Sequence, residues 1–287
     1  MDIDQIKKIV VVGAGTMGQG IAQACAQANY EVTLYDINKS AVDQARSVIE
    51  KNLNTAIDKG KLKEEDKVRI LSKIHLADQI TSLQCDLVIE AVVEKLEVKQ
   101  DLFNQLEEIN SGKAILATNT SSLSVTQIAA SLKNPSNCIG LHFFNPAYLM
   151  KLVEVVYTFS TSPRLINRLK DFSISLGKIP VVAKDSPGFI VNRVARHFYV
   201  ESLKLLEENN SSVVTIDELL KSTGFKMGPF ELMDLIGIDI NLAVTTSVYE
   251  GFNEDPKFRP SLIQQEKVAA GHLGRKTGKG FYDYSKG

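Results

Sequence analysis

Ile9-Val10-Val11-Val12-Gly13-Ala14-Gly15-Thr16-Met17-Gly18 decides the fold: a short β-branched run, a glycine turn, and then a helical pattern from Gln19 to Ala28. β-Branched residues suit a pleated surface, and a bounded apolar run of this length reads as a buried strand. Gly13 permits the tight turn, Gly15 lets a pyrophosphate approach the backbone, and Gly18 lets the helix pack closely on the strand. The N–H groups and positive dipole end of the helix then suit phosphate. Glu31-Val32-Thr33-Leu34-Tyr35 is a second strand, and it ends at Asp36, eighteen residues after Gly18. An acid there accepts hydrogen bonds from the adenosine ribose hydroxyls and repels a 2′-phosphate, so the spacing predicts NAD(H) rather than NADP(H).

Two further buried-type runs follow, Cys85 to Ala91 and Ala114 to Ala117. Each leads into polar residues at the carboxyl edge of a sheet, where ligands sit in doubly wound folds. The first leads to Glu94 and Lys99, the second to Asn119-Thr120-Ser121-Ser122. Between Asp36 and Cys85 lies a long stretch read as helical, with Lys51, Lys59, Lys61, Lys63, Lys67 and Lys73 mixed with Glu64, Glu65 and Asp66. The mixed signs fit a solvated helical hairpin or, alternatively, an anion-binding patch.

Beyond these runs, Cys138 to Leu141 closes on His142, and Glu154 sits inside the apolar run Leu152 to Val156. A carboxylate in such a run is costly unless paired, and the Asn145-Pro146 turn signal brings the two segments side by side. A histidine held by a carboxylate has a fixed tautomer and a stabilised imidazolium, which suits a general base. The same pattern also fits a structural ion pair under a loop. Phe143 and Phe144 read as core, while His75, His197 and His272 lack metal-ligand spacing, so no metal is expected.

A boundary lies at Lys184-Asp185-Ser186-Pro187-Gly188-Phe189, where Ser186 suits a helix cap and Pro187 its first position. Downstream, Ile190, Val194, Phe198 and Leu205 recur at helical intervals. Asn192 and Arg193 fall in the first turns; the Asn192 side chain either points into a cleft or bonds a neighbouring backbone group. Met227-Gly228-Pro229-Phe230 and residues 271–280 break helices, the latter reading as a mobile arm. The expected fold is α/β: a doubly wound, Rossmann-type sheet with a helical hairpin insertion over residues 1–186, followed by an all-α domain over residues 187–287.

A net charge of −1, from 33 Lys plus Arg against 34 Asp plus Glu, offers no global field for nucleic acid or an anionic membrane and leaves open only a local basic patch. Three scattered cysteines form neither a disulfide framework nor a thiolate metal motif, and no apolar run approaches membrane-spanning length. The first strand begins near Lys7, leaving no room for a signal peptide, so a cytoplasmic protein is expected.

Six separated motifs then carry a resemblance across essentially the whole chain. They are residues 12–18, Thr118-Asn119-Thr120-Ser121-Ser122, His142-Phe143-Phe144-Asn145-Pro146, residues 187–193, residues 227–232 and residues 274–282. The chain resembles the L-3-hydroxyacyl-CoA dehydrogenases, most of all the short bacterial 3-hydroxybutyryl-CoA type. By position, the resemblance implies His142 as catalytic base, Glu154 as its partner, and Ser121 and Asn192 as substrate-positioning groups. It implies Asp36 at the adenosine ribose of NAD, and Glu94, Lys99, Ser121, Asn145 and Lys276 around the rest of the cofactor. Coenzyme A contacts are implied at Ser121 and near Lys59, although Thr55 stands where a second basic residue is expected. A homodimer through the C-terminal domain is also implied. The same chemistry on 3-hydroxyadipyl-CoA or a longer acyl-CoA remains open, as does a non-catalytic, crystallin-like descendant.

Overall fold

The computed structural model describes residues 6–285 and divides into two compact units, the first ending at Asp185 and the second starting at Ser186. The first unit is built on eight strands: β1 (Lys8–Val12), β2 (Glu31–Tyr35), β3 (Ile74–Ala77), β4 (Leu87–Glu90), β5 (Ile115–Thr118), β6 (Cys138–Phe143), β7 (Leu152–Tyr157) and β8 (Ile179–Lys184). Their order is β3-β2-β1-β4-β5-β6-β7-β8, parallel from β3 through β6. β7 turns back antiparallel to β6, and β8 runs parallel to β7. The chain walks outward from β1 to β3 and returns to β4 on the other side of β1. That reversal opens a crevice at the carboxyl ends of β1 and β4, the place where doubly wound sheets bind ligands.

Helices α1 (Thr16–Gln27), α2 (Lys39–Asp58), α3 (Glu64–Ser72), α4 (Leu96–Ile109), α5 (Val125–Ala129) and α6 (Pro163–Ser175) complete this unit. The central strands carry apolar residues on both faces, and Ile9, Val11, Ile21, Leu34, Ile89, Leu141 and Phe172 join one buried cluster. Cys25 belongs to that cluster, and burial pushes its thiol up to about 12, which makes it a packing group. The hairpin α2–α3 appears as expected, but the stretch after it is not helical throughout. Ile74-His75-Leu76-Ala77 is an added strand, stabilised by non-local pairing with β2 that no local periodicity announces.

The second unit comprises α7 (Val191–Glu207), α8 (Val213–Ser222), α9 (Pro229–Ile236), α10 (Ile238–Gly251) and α11 (Leu262–Ala269). α7 starts at Val191, not at Pro187. Gly188 and Phe189 have φ values of 70° and 47°, so residues 187–190 form a turn that a right-handed helix cannot include. Residues 271–280, expected to be a mobile arm, are anchored instead. The Asp234 carboxylate accepts from the N–H groups of Phe281 and Tyr282 at 2.9 Å each, and Asp217 accepts from the Tyr282 hydroxyl at 2.8 Å. Two buried carboxylates therefore fix the two residues that follow the arm, and Lys267 Nζ holds its last residue by donating to the Gly280 carbonyl at 2.9 Å. No single helix among the described residues is long and apolar enough to cross a membrane.

Candidate active site

The glycine turn after β1 fits the role its spacing predicts. Gly13 has a φ of 102° and donates to the Tyr35 carbonyl at 2.8 Å. A Cβ on Gly13 would lie 2.4 Å from the Ala91 oxygen, and one on Gly18 only 1.7 Å from the Gly13 oxygen. Both glycines are thus demanded by the fold itself. Gly15 differs, because a Cβ there would meet nothing within 4 Å. It is the N-cap of α1 and supplies no side chain to the first N–H groups, so the helix end presents backbone donors to open space. Asp36, at the end of β2, accepts from Ala14 N–H at 2.7 Å and Asn38 N–H at 2.9 Å. This cradle fits a dinucleotide.

At the carboxyl edge of β4 and β5 a second cluster is assembled. Glu90, the last residue of β4, is fully buried and accepts from Lys99 Nζ at 2.6 Å, Thr118 Oγ1 at 2.7 Å and Val92 N–H at 2.7 Å. Lys99 is 1% exposed and also contacts Glu94 at 3.1 Å. Glu94 in turn accepts from the Thr120 hydroxyl, from the N–H groups of Ser121 and Ser122 at 3.0 and 3.2 Å, and from Ser122 Oγ at 2.9 Å. Burial alone pushes Glu94 upward, but the Lys99 ammonium and the Thr120, Lys99 and Ser122 donors outweigh it and hold the carboxyl below its ordinary value. Ser121 is thereby placed by a relay running from Glu90 through Lys99 and Glu94.

The third cluster joins β6 and β7. His142 and Glu154 are directly opposed in the antiparallel register, and His142 Nδ1 lies 2.7 Å from Glu154 Oε2. The pair is 5% and 0% exposed, and the Phe144 ring tilts against the imidazole at 4.5 Å between centroids. Asn119, just beyond β5, accepts from Phe143 N–H at 2.8 Å and braces the strand beside His142. The Nδ1 contact with the carboxylate sets the orientation of the imidazole.

The remaining candidates are distributed as follows. Asn145 is exposed and begins the connection between β6 and β7 with a cis bond to Pro146. Lys59 is exposed at the C-cap of α2. Asn192 lies in the first turn of α7, and Lys276 pairs with Asp239 at 2.6 and 2.7 Å; both belong to the second unit. Glu90 and Asn119 carry site geometry that motif reading passes over. A carboxylate closing an apolar strand is the signal for Glu90, but Asn119 gains its role only through cross-strand contact. Among the described residues no cluster of His, Cys, Asp and Glu can hold a metal ion.

A doubly wound sheet with this turn and this acid defines the NAD-binding half of a dehydrogenase. Residues 8–186 match the NAD-binding domain of 3-hydroxyacyl-CoA dehydrogenase and residues 188–284 match the C-terminal domain of the same enzyme; the chain belongs to this family of NAD-dependent dehydrogenases. It is 47% identical to 3-hydroxyadipyl-CoA dehydrogenase of Escherichia coli K12, over 97% of this chain but 59% of that protein. It is 41% identical to 3-hydroxybutyryl-CoA dehydrogenase of Clostridioides difficile, over 97% of this chain and 100% of that one. The crystal structure of (S)-3-hydroxybutyryl-CoA dehydrogenase from Ralstonia eutropha superposes with a TM-score of 0.94 at 41% identity, covering 98% of this chain and 99% of that one.

Proposed function

We propose that the chain interconverts (S)-3-hydroxybutyryl-CoA and acetoacetyl-CoA, with His142 as acid/base and Glu154 as its orienting partner. The observation that carries this reading is the buried His142–Glu154 pair at 2.7 Å, two strands from the strand that ends at the Glu90–Lys99–Glu94 relay. In the oxidative direction His142 Nε2 accepts the proton of the 3-hydroxyl. Glu154 stabilises the imidazolium that forms and keeps the ring in one tautomer. Bound NAD supplies the hydride acceptor. In reduction the imidazolium returns its proton to the 3-oxygen. Ser121, held by the Glu94-capped loop, hydrogen-bonds the substrate oxygen and limits its freedom before reaction. The resemblance adds Asn192 as a second substrate-binding group, Asn145 and Lys276 on the cofactor, and Lys59 at coenzyme A. Retention of all four substrate-handling residues speaks against a purely structural descendant.

A second acyl chain, 3-hydroxyadipyl-CoA, is favoured by the 47% identity to the E. coli protein named for it. We further propose a cytoplasmic homodimer formed through the second unit, a reading supported by exposed Val194, Leu219 and Leu262 on its helices and Phe225 in the loop after α8. The test follows NADH absorbance with acetoacetyl-CoA and 3-oxoadipyl-CoA, with NADPH and free acetoacetate as parallel controls. Rapid loss confined to NADH with a thioester supports the reaction, and the faster thioester identifies the chain. Loss with neither thioester rejects it.

A further inference from the structure

Lys178 is a buried lysine that bonds no carboxylate among the described residues. Its residue is 8% exposed, and among the described residues no acidic group forms an ion pair with it. Its ammonium instead donates to two main-chain carbonyls, Ala147 at 2.6 Å and Met150 at 2.8 Å. Both acceptors lie in residues 144–151, the connection between the strands that carry His142 and Glu154. Burial lowers the basicity of Lys178, so the cation is kept there at a cost that the two charge-assisted bonds offset.

The local chain is built to deliver this side chain. α6 ends in a left-handed glycine, Gly177, with φ of 70°. Gly177 N–H donates to the Ile174 carbonyl at 2.8 Å and Lys178 N–H to the Ser173 carbonyl at 3.0 Å, the paired bonds of a Schellman stop. Ile179 N–H then donates to the Lys151 carbonyl at 2.7 Å, which starts β8 under the connection. On the other side Ala147 is buried against α1, where a Cβ on Gly20 would sit 3.1 Å from the Ala147 Cβ. The connection is therefore held between the dinucleotide helix and one ammonium. Alongside exposed Asn145, Pro146 and Lys151 it shows two large apolar side chains to solvent: Leu149 is 62% and Met150 42% exposed, a few residues from His142.

We propose that Lys178 is a positioning residue that fixes residues 144–151, so that Leu149 and Met150 form the surface receiving the acyl chain beside His142. The proposal rests on the acid/base reading of His142 given above. Free carbonyl groups at Ala147 and Met150 would let the connection move and blur that surface, without touching the glycine turn or Asp36.

The experiment compares wild type with Lys178→Met, measuring NADH dissociation by fluorescence, melting temperature, and kcat and KM for acetoacetyl-CoA and 3-oxodecanoyl-CoA. The expected result is a KM for acetoacetyl-CoA raised about fivefold or more and a preference between the two thioesters reduced about threefold or more, with a smaller loss of NADH affinity, since Asn145 moves with the same connection. A folded Lys178→Met enzyme with wild-type KM and wild-type preference overturns the proposal, even if it melts lower. A loss of NADH affinity as large as the rise in KM overturns it, since the effect then reaches the glycine turn and Asp36 beyond the connection and its Asn145. Should Lys178→Met fail to fold, Lys178→Arg decides. Its longer, planar head must displace the carbonyls and raise the acetoacetyl-CoA KM several-fold with a smaller loss of NADH affinity, and wild-type kinetics there overturns the proposal. A wild-type protein inactive on both thioesters instead rejects the acid/base reading, and this inference with it.

Discussion

His142 and Glu154 face each other across the one antiparallel step of the sheet among the described residues, with Nδ1 and Oε2 2.7 Å apart and both side chains buried. The pairing needs that step: in a parallel ladder the chain would leave by a crossover, whereas here eight residues return it directly. Replacing His142 with Gln is expected to lower kcat by about 10²- to 10⁴-fold and leave NADH affinity nearly unchanged. Glu154→Gln keeps an acceptor but removes the charge that stabilises the imidazolium, and we expect kcat to fall by about 10²-fold or more. Steady-state kinetics beside NADH titration checks both. Near-normal turnover in His142→Gln would sink the assignment.

The glycines of the turn separate fold from ligand. Gly18→Ala forces a methyl to within 1.7 Å of the Gly13 oxygen, so it should lower the melting temperature sharply or prevent folding. Gly15→Ala meets no protein atom and Gly15 already has an ordinary φ of −69°, so its melting temperature should match wild type. NADH affinity should nonetheless fall by about tenfold, because the methyl stands where backbone must approach phosphate. Thermal melts and fluorescence titration of both variants make the comparison.

Asp36 bonds two main-chain N–H groups at the end of β2, and by its spacing from the glycine turn it is the group expected to meet the adenosine ribose. Bonds to a charged acceptor contribute about 1.5–3 kcal/mol each, so Asp36→Ser should weaken NADH binding by about tenfold. It should also narrow the gap to NADPH, since the repulsion of a 2′-phosphate is gone. The ratio of kcat/KM for the two cofactors is the measurement, and an unchanged ratio would remove Asp36 from the discrimination.

Glu94 carries a pH dependence of known sign. Its folded carboxyl titrates below the ordinary value of 4.5, because Lys99 and its hydroxyl and amide donors outweigh burial. The stabilisation from its charge is therefore complete above that value and is lost as the pH falls through the lower, folded one. Glu94→Gln should lower stability most at pH 8, where the charge contributes in full, and flatten the acid side of the curve, so that variant and wild type converge as the pH falls below the ordinary carboxylate range. Urea melts at several pH values read this directly; a variant with the wild-type acid slope would show that the relay adds nothing to stability.

Local chemistry in the chain determines a great deal here. The β-branched run, the three glycines and Asp36 specify a dinucleotide cradle, because each requirement acts over a few residues: a strand, a turn without Cβ atoms, a carboxylate at the next strand end. The apolar run around Glu154 likewise demands a partner for a buried charge, and His142 is the residue at hand. Tertiary structure alone decides the rest. Strand β3 exists through pairing with β2, α7 begins late because Gly188 and Phe189 turn left-handed, and the end of the arm is fastened at Phe281 and Tyr282, just past residue 280, by Asp217 and Asp234 from elsewhere in its unit. The hold of Lys99 on Glu90 and Glu94, and of Lys178 on two carbonyls about thirty positions earlier, follow the same rule. A buried polar group is satisfied by whichever partner the fold brings within 3 Å, and that partner's distance along the chain leaves no trace in local pattern.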